Sequence, residues 1–197
     1  MTIYYVVFKV VRSYITPEQL DRALPNLKRT RDRMLMLIMY HCGLQPGEIV
    51  RITAADYNPT TGVIGYYSAI DGYMNAVFVP TELRPLLDAY MRDFHIYGMK
   101  PLFGSGRRTY PRSDEPARFH ENLGIHTPDM LSPNSVNRIV KKAFANMKDE
   151  FNGEHITPSD FHYTWIVDRH PMASKENNEC RCSWCRFARR KKRSCKT

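Results

Sequence analysis

Four of the five cysteines in this 197-residue chain lie close together near its C-terminus, with spacings that suit metal coordination. They are Cys180, Cys182, Cys185 and Cys195. Four thiolates are the number that a closed tetrahedral zinc site uses, and the Cys182/Cys185 pair has the common two-residue spacing. The Cys180/Cys182 spacing is tighter than usual, so His170 is a reserve ligand and reduced thiols without metal are the alternative. We expect no required cofactor and at most one structural zinc ion.

The other nucleophilic and acidic side chains do not form a recognisable catalytic set. His41 and Cys42 are neighbours on a predicted helix, where successive side chains point about 100° apart, so they do not suit a nucleophile–base pair. Asp56, Asp71 and Asp88 have no metal-ligand spacing. Residues 103–108, with the sequence FGSGRR, lack the strand–loop–helix context that a phosphate-binding loop needs.

Basic residues are concentrated in a C-terminal tail. The chain carries 29 Lys and Arg against 20 Asp and Glu, a net charge of +9. Residues 180–197 contain eight of those cations and no acid, which leaves a net charge of +1 for residues 1–179. Such a segment binds polyanions by releasing their counterions, so we expect nucleic-acid contacts here, with a targeting signal or a solvated tail as alternatives. The tail cations expected to touch nucleic acid are Arg181, Arg186, Arg189, Arg190, Lys191, Lys192 and Arg193.

The remainder of the chain has the pattern of one folded domain. Hydrophobic residues make up 43% of the sequence, and no apolar run approaches the ~18 residues of a membrane-spanning helix. Capping residues and apolar spacing predict helices, and two turns between residues 56 and 80 predict a small hairpin sheet. We therefore expect a mainly helical α+β fold with one small antiparallel sheet. The predicted division is a strand or arm over 1–13, a domain over 14–170 and the tail over 171–197.

Several of these elements are predicted in detail. The expected helices cover about 17–25, 30–42, 46–52, 82–97, 133–148 and 158–168, and a long loop covers 98–131. The helix over 30–42 is apolar on all sides and should be central to the core. The helix over 82–97 should bury one face, formed by Leu83, Leu86, Leu87, Tyr90 and Phe94.

The order of the elements and three stretches of sequence resemble the catalytic domain of tyrosine recombinases, the phage integrase family. The first stretch is YITPEQL at 14–20 followed by RDRML at 31–35 and YHCGLQPGEI at 40–49. The second is ADY at 55–57 before the hairpin, and the third is LSP at 131–133 with ITPSDFHYT at 156–164. The resemblance covers about residues 14–168 and implies that family's fold.

The same resemblance implies that the catalytic positions are degenerate. The family stabilises a pentacoordinate phosphate with two arginines, a histidine and a hairpin lysine, because guanidinium groups match the developing charge. Gln45 stands at the first arginine, and the family's His-x-x-Arg reads Ser159-x-x-His162. Residues 66–78 contain no lysine, and no tyrosine follows Tyr163 to act as nucleophile. The resemblance also implies that Gln45, Ser159 and His162 face one shared cleft.

These observations predict a DNA-binding protein with a catalytically inactive recombinase-like domain, in a regulatory, architectural or accessory role in recombination. Arg107, Arg108 and Arg112 of the long loop are expected to line the DNA cleft, or else to lie in solvent. The expected partners are duplex DNA and a recombinase or further copies of this chain, without a membrane. The expected location is the cytoplasm, at the nucleoid, or the interior of a host cell. One alternative is a divergent or truncated recombinase whose nucleophile comes from another subunit, and another is an RNA-binding protein that uses only the tail.

Overall fold

The computed structural model describes residues 13–68, 72–105, 130–151 and 153–169. The helices are α1 (Pro17–Ala23), α2 (Thr30–Cys42), α3 (Pro46–Ile49), α4 (Arg84–Asp93), α5 (Pro133–Ala143) and α6 (Pro158–Arg169). The strands are β1 (Tyr57–Asn58), β2 (Val63–Ser68) and β3 (Tyr73–Phe78), and 3₁₀ turns cover Leu24–Asn26, Ala54–Asp56 and Lys148–Phe151. The predicted fold class, mainly helical with one small antiparallel sheet, is confirmed.

Helix α2 is the centre of the core and covers the predicted residues. Its buried side chains lie on all sides, because α6 and α4 both pack against it. Tyr40 meets the ring of Phe161 on α6 edge to face, with centroids 6.4 Å apart. The helix ends where Gly43 adopts a left-handed conformation with φ of 65° and donates its N–H to the Met39 carbonyl. A glycine takes this conformation without the steric cost of a Cβ.

Helix α1 begins with a complete capping box. The Thr16 hydroxyl accepts from the Gln19 N–H, and the Gln19 side chain accepts from the Thr16 N–H. Residues 13–15, which precede the cap, run along α6 as an extended segment. The Ser13 and Ile15 N–H groups donate to Asp160 and Thr164 of α6 at 3.1 Å and 3.0 Å. The start of the described chain is thereby fixed to its last helix.

The sheet has the order β1–β2–β3, and both pairings are antiparallel. Ile64 and Val77 pair across β2 and β3 and point into the core. The opposite face of the hairpin carries apolar or small side chains and remains open to solvent. Its members are Val63, Gly65, Tyr67, Met74, Ala76 and Phe78.

Helix α4 is shorter than predicted, and its inner face is narrower. Leu83, Leu87 and Tyr90 are buried as predicted, whereas Leu86 and Phe94 are each 54% exposed. The helix ends at Asp93, so Phe94 lies at its cap, and Leu86 lies at the margin of the apolar stripe. The prediction that both residues face the core is therefore wrong. Helix α5 likewise ends at Ala143, before the predicted end at 148.

The described ends of the predicted loop 98–131 are built into the core. Leu102 and Phe103 are almost fully buried, and Leu102 donates its N–H to the Ile52 carbonyl at 2.8 Å. Gly104 and Met130 form an antiparallel bridge, which brings the two ends of the loop together. Sequence reasoning missed this bridge and these two core residues.

Of the predicted division, the structure describes only Ser13 of the arm and the ranges of the domain given above, and none of the tail. The arm over 1–13 and the tail over 171–197 therefore stay predictions. Among the described helices, none is long and apolar enough to cross a membrane.

Candidate functional site

Gln45 lies in the short connection between α2 and α3, where the turn at Gly43 redirects the chain. It is the N-cap residue of α3, and its backbone N–H donates to the Glu48 carboxylate at 2.8 Å. The Gln45 side chain is half-buried. The local sequence explains this geometry, because Pro46 suits the first turn of a helix and Glu48 is a capping acceptor. Gln45 is therefore held at a fixed place with an amide, rather than a charge, at its tip.

His162 of α6 packs against the same connection. Its Nδ1 forms a hydrogen bond with the Gly43 carbonyl oxygen. Because a carbonyl oxygen only accepts, Nδ1 carries the hydrogen and donates it. The ring also stacks on Trp165, with centroids 6.3 Å apart and planes 21° apart. His162 is thus fixed to Gly43, which lies two residues before Gln45 in the chain, and its Nδ1 is committed to the backbone.

Ser159 lies on the first turn of α6, one turn before His162, and is exposed. Its neighbour Asp160 is buried and accepts from the Thr157 N–H and hydroxyl at 2.7 Å and 2.6 Å, which fixes the start of the helix. The structure places Ser159 and His162 on one helix and brings His162 against the connection that holds Gln45. The roles of these three positions stay predictions.

The chemistry available from Gln45, Ser159 and His162 is hydrogen bonding. An amide and a hydroxyl can donate to a phosphate oxygen but bring no positive charge. Stabilisation of a phosphoryl transition state depends on cations aimed at its oxygens. The nearby hairpin adds no lysine, since residues 66–78 read YYSAIDGYMNAVF. These three side chains therefore offer hydrogen-bonding groups and no arginine or lysine.

Sequence reasoning missed a second site, a basic cleft between α5 and the segment that leads into α2. Its volume is about 490 Å³. The residues that line it are Arg29, Arg31, Asp32, Ser105, Met130, Leu131, Ser132, Ser135, Arg138, Ile139 and Lys142. Four of them are cations. The absence of acidic residues from α5 is the one signal in the sequence that indicates this face.

The remaining predicted site residues lie outside the described residues. They are the loop cations Arg107, Arg108 and Arg112, the tail cations, and the four tail cysteines. The part of the chain that the structure describes contains no group of three or more His, Cys, Asp or Glu residues that could hold a metal ion. The zinc site stays a prediction, and metal analysis of the full chain tests it, since a closed tetrahedral site would hold one zinc ion per chain. A chain without zinc would leave the reduced-thiol alternative.

Comparison with known proteins identifies the fold. No protein-family model and no curated protein matches the chain. Solved structures do match: XerA recombinase has a TM-score of 0.59 at 15% identity, over 84% of this chain and 52% of that one. The Tn1549 transposon integrase in complex with a circular intermediate DNA has a TM-score of 0.53 at 13% identity, over 85% and 55%. The lambda integrase catalytic core has a TM-score of 0.52 at 13% identity, over 81% and 85%.

These identities are low, so the comparison concerns the fold alone. The chain spans about half the length of XerA recombinase and of the Tn1549 integrase, but 85% of the lambda integrase catalytic core corresponds to it. The matched region therefore corresponds to the catalytic core of the lambda integrase. The described residues of this chain have the fold of a tyrosine-recombinase catalytic domain.

Proposed function

We propose that this chain binds duplex DNA without cleaving it, in a regulatory, architectural or accessory role in recombination. One observation carries the proposal. In a recombinase-like fold, the connection from α2 to α3 and the first turns of α6 present Gln45, Ser159 and His162, with His162 bonded to the Gly43 carbonyl. The Tn1549 integrase was solved with DNA, which supports DNA as the ligand class for this fold.

The proposed lack of cleavage follows from charge. Removing one transition-state donor typically lowers a rate by about 10² to 10³. Two of these three side chains are neutral at every accessible pH, and the third donates Nδ1–H to a backbone carbonyl. These three side chains can form hydrogen bonds with a bound phosphate. They lack the positive charge that stabilises a pentacoordinate phosphate.

Two measurements on the full chain test the proposal. The first is titration of a fluorescent 25-base-pair duplex at 50 mM salt, where we expect binding that weakens as salt rises. The second is incubation with a nicked duplex followed by denaturing electrophoresis, where we expect no covalent adduct. Tyr163→Phe is the control for the second measurement, because Tyr163 follows His162 directly and is the last tyrosine of the sequence.

Each outcome has a definite meaning. A denaturant-resistant adduct would overturn the proposed inactivity and favour a divergent recombinase, and its loss in Tyr163→Phe would identify the nucleophile. An adduct that persists in Tyr163→Phe would indicate a different nucleophile. No duplex binding at 50 mM salt would overturn the DNA proposal, and preferential binding of an RNA of equal length would favour the RNA alternative.

A further inference from the structure

Strand β3 forms one edge of the sheet, and its neighbours show in which direction its backbone groups point. The strand order is β1–β2–β3, so no described strand lies beyond β3. The Val79 N–H, one residue after the strand, donates to the Gly62 carbonyl at 2.8 Å and therefore points toward β2. Because successive N–H and C=O groups along a strand point to opposite sides, those of Met74, Ala76 and Phe78 point away from β2.

These outward groups differ in what they already contact. Cys42 Sγ lies 3.8 Å from the Phe78 carbonyl oxygen and donates to it, which agrees with the outward direction of that carbonyl. Within the described part of the chain, no hydrogen bond reaches the backbone of Met74 or Ala76 from outside the sheet. Met74 is 62% exposed, and Ala76 is also exposed. The middle of this edge is therefore accessible to another strand.

The edge lacks the features that usually keep edge strands from pairing with other chains. Such strands commonly carry a charged side chain, a proline or a bulge. β3 reads YMNAVF and β2 reads VIGYYS, so neither contains a charged residue or a proline. Their register is continuous, without a bulge. A partner strand would therefore meet neither a charge nor a missing N–H group at this edge.

A second copy of β3 fits this edge in one register. In an antiparallel pair centred on Asn75, Met74 lies opposite Ala76 of the second copy, and the N–H and C=O groups of both residues point at each other. The two-fold axis repeats this pair, so two bonds in each of two pairs give four backbone hydrogen bonds. The long Met74 side chain lies beside the small Ala76 side chain of the other copy on the outer face. Since the strand is uncharged, the symmetry brings no like charges together.

We propose that two copies of this chain associate through β3, edge to edge and antiparallel, with Met74 of each copy opposite Ala76 of the other. The two three-stranded sheets then form one sheet of six strands, in the order β1–β2–β3–β3–β2–β1. Four hydrogen bonds and a narrow apolar contact form a small interface, so association depends on protein concentration. The inference does not depend on DNA binding and stands apart from the proposed function.

Sedimentation equilibrium of the full chain, without DNA and with a reducing agent, tests the association. At about 200 μM protein we expect a mass well above the 23.0 kDa of one chain and approaching twice that value. Ala76→Pro removes an outward N–H from each copy and leaves the bonds to β2 in place. It should raise the dissociation constant of the dimer by about tenfold or more. Ala76→Ser keeps the N–H and is the matched control, with unchanged association.

A second measurement tests the register. Chains with Met74→Cys and chains with Ala76→Cys are mixed under mild oxidation, and disulfide-linked peptides are identified by mass spectrometry. Opposite residues of a hydrogen-bonded pair have Cα atoms about 5.5 Å apart, which suits a disulfide. The mixture should therefore form a disulfide between positions 74 and 76. Either variant alone should form none between its own substituted positions, because these are two residues out of register.

Each outcome supports or overturns the proposal. A mass of one chain at about 200 μM protein would overturn it. Unchanged association in Ala76→Pro would place the interface on another surface, and a dimer without the disulfide between positions 74 and 76 would exclude the proposed register. Circular dichroism shows whether Ala76→Pro is folded. If it is not, Met74→Lys, which adds a charge at an exposed edge position, replaces it with the same expected loss.

Discussion

At the scale of single residues, the turn at Gly43 connects the core to the candidate site. A Cβ built on Gly43 would lie 2.3 to 2.6 Å from three carbon atoms of the Trp165 ring, and the residue has a φ of 65°. Both the left-handed backbone and the close indole therefore require glycine. The carbonyl oxygen of Gly43 also accepts the hydrogen bond from His162 Nδ1. Stability and site geometry thus depend on one position.

We predict that Gly43→Ala lowers the free energy of unfolding by roughly 2–4 kcal/mol, because backbone strain of about 1–2 kcal/mol adds to the overlap with Trp165. Urea denaturation measures the change. Gly98→Ala is the matched control, since Gly98 has a φ of 61° and nothing within 4 Å of its Cβ position. Gly98→Ala should lower the free energy of unfolding only by the cost of backbone strain. Equal losses in the two variants would mean that the indole contact contributes nothing.

The hydroxyl of Tyr14 ties the extended segment at residues 13–15 to α6. It donates to the Asp168 carboxylate at 2.6 Å, and this hydrogen bond, with partial burial and the charge of Asp168, raises the pKa of Tyr14 to about 12. A folded-state pKa above the unfolded value of about 10 means that the stabilisation is complete below pH 10. It is lost as pH rises from about 10 to about 12.

We therefore predict that Tyr14→Phe lowers the free energy of unfolding at pH 7 by about 0.5–1 kcal/mol, a small value because the side chain is 40% exposed. The difference from the unmodified chain should shrink above pH 10. Urea denaturation at several pH values measures both effects. Tyr67→Phe, on the exposed hairpin face, serves as the control. A Tyr14→Phe variant as stable as the Tyr67→Phe variant at pH 7 would contradict the prediction.

At the scale of elements, α6 does more than complete the core. Asp160, Thr164 and Asp168 follow one another at every fourth position and receive the N–H of Ser13, the N–H of Ile15 and the hydroxyl of Tyr14. These side chains accept hydrogen bonds from backbone N–H groups of residues 13–15, as the carbonyls of a neighbouring strand would do in a sheet. The same helix carries Ser159 and His162, so its position affects the candidate site.

We predict that Thr164→Val lowers the free energy of unfolding by about 1–3 kcal/mol, because it leaves the buried N–H of Ile15 without its acceptor while keeping the side-chain shape. In this variant, the rate of hydrogen exchange should rise more at the Ile15 amide than at amides in the middle of α2, each compared with the unmodified chain. Thr81→Val, at an exposed position, is the control for the change of residue type. An Ile15 amide that exchanges at its original rate in Thr164→Val would show that the segment is held by other contacts.

How well the sequence predicts an element depends on whether local or distant contacts determine it. Helix α2 matches its prediction because a fully apolar run and Gly43 define it locally. Helix α4 does not match its prediction, because it ends at Asp93 and Phe94 is its cap. The position of this end depends on contacts with distant parts of the chain. The basic cleft could not be predicted from spacing, since Arg29 and Arg138 are far apart in the chain. Only contacts such as the bond from Asn26 to Ala143 bring them together.

At the scale of the whole molecule, two basic regions must be considered together. The residues that line the basic cleft include four cations and Asp32, a net charge of +3, and residues 180–197 carry +8. Phosphate contacts fix the position of a protein on a duplex and do not read the base sequence. If both regions touch the same duplex, their contributions to the salt dependence should add. If only one of them touches the duplex, that region alone should contribute.

Changing all five cations of the run at Arg189–Arg193 to Gln in the full chain tests this addition. Complete loss of five phosphate contacts would lower the salt slope by about 4.5, and loss of half of them by roughly 2. R138Q/K142Q removes two cations of the basic cleft. When the two sets of substitutions are combined, the decreases in slope should sum, because well-separated contacts act independently. Titration of the duplex at four salt concentrations measures every slope. An unchanged slope in the tail variant would mean that the tail does not touch DNA, and zinc-dependent binding of a partner protein would then be the next hypothesis for its cysteines.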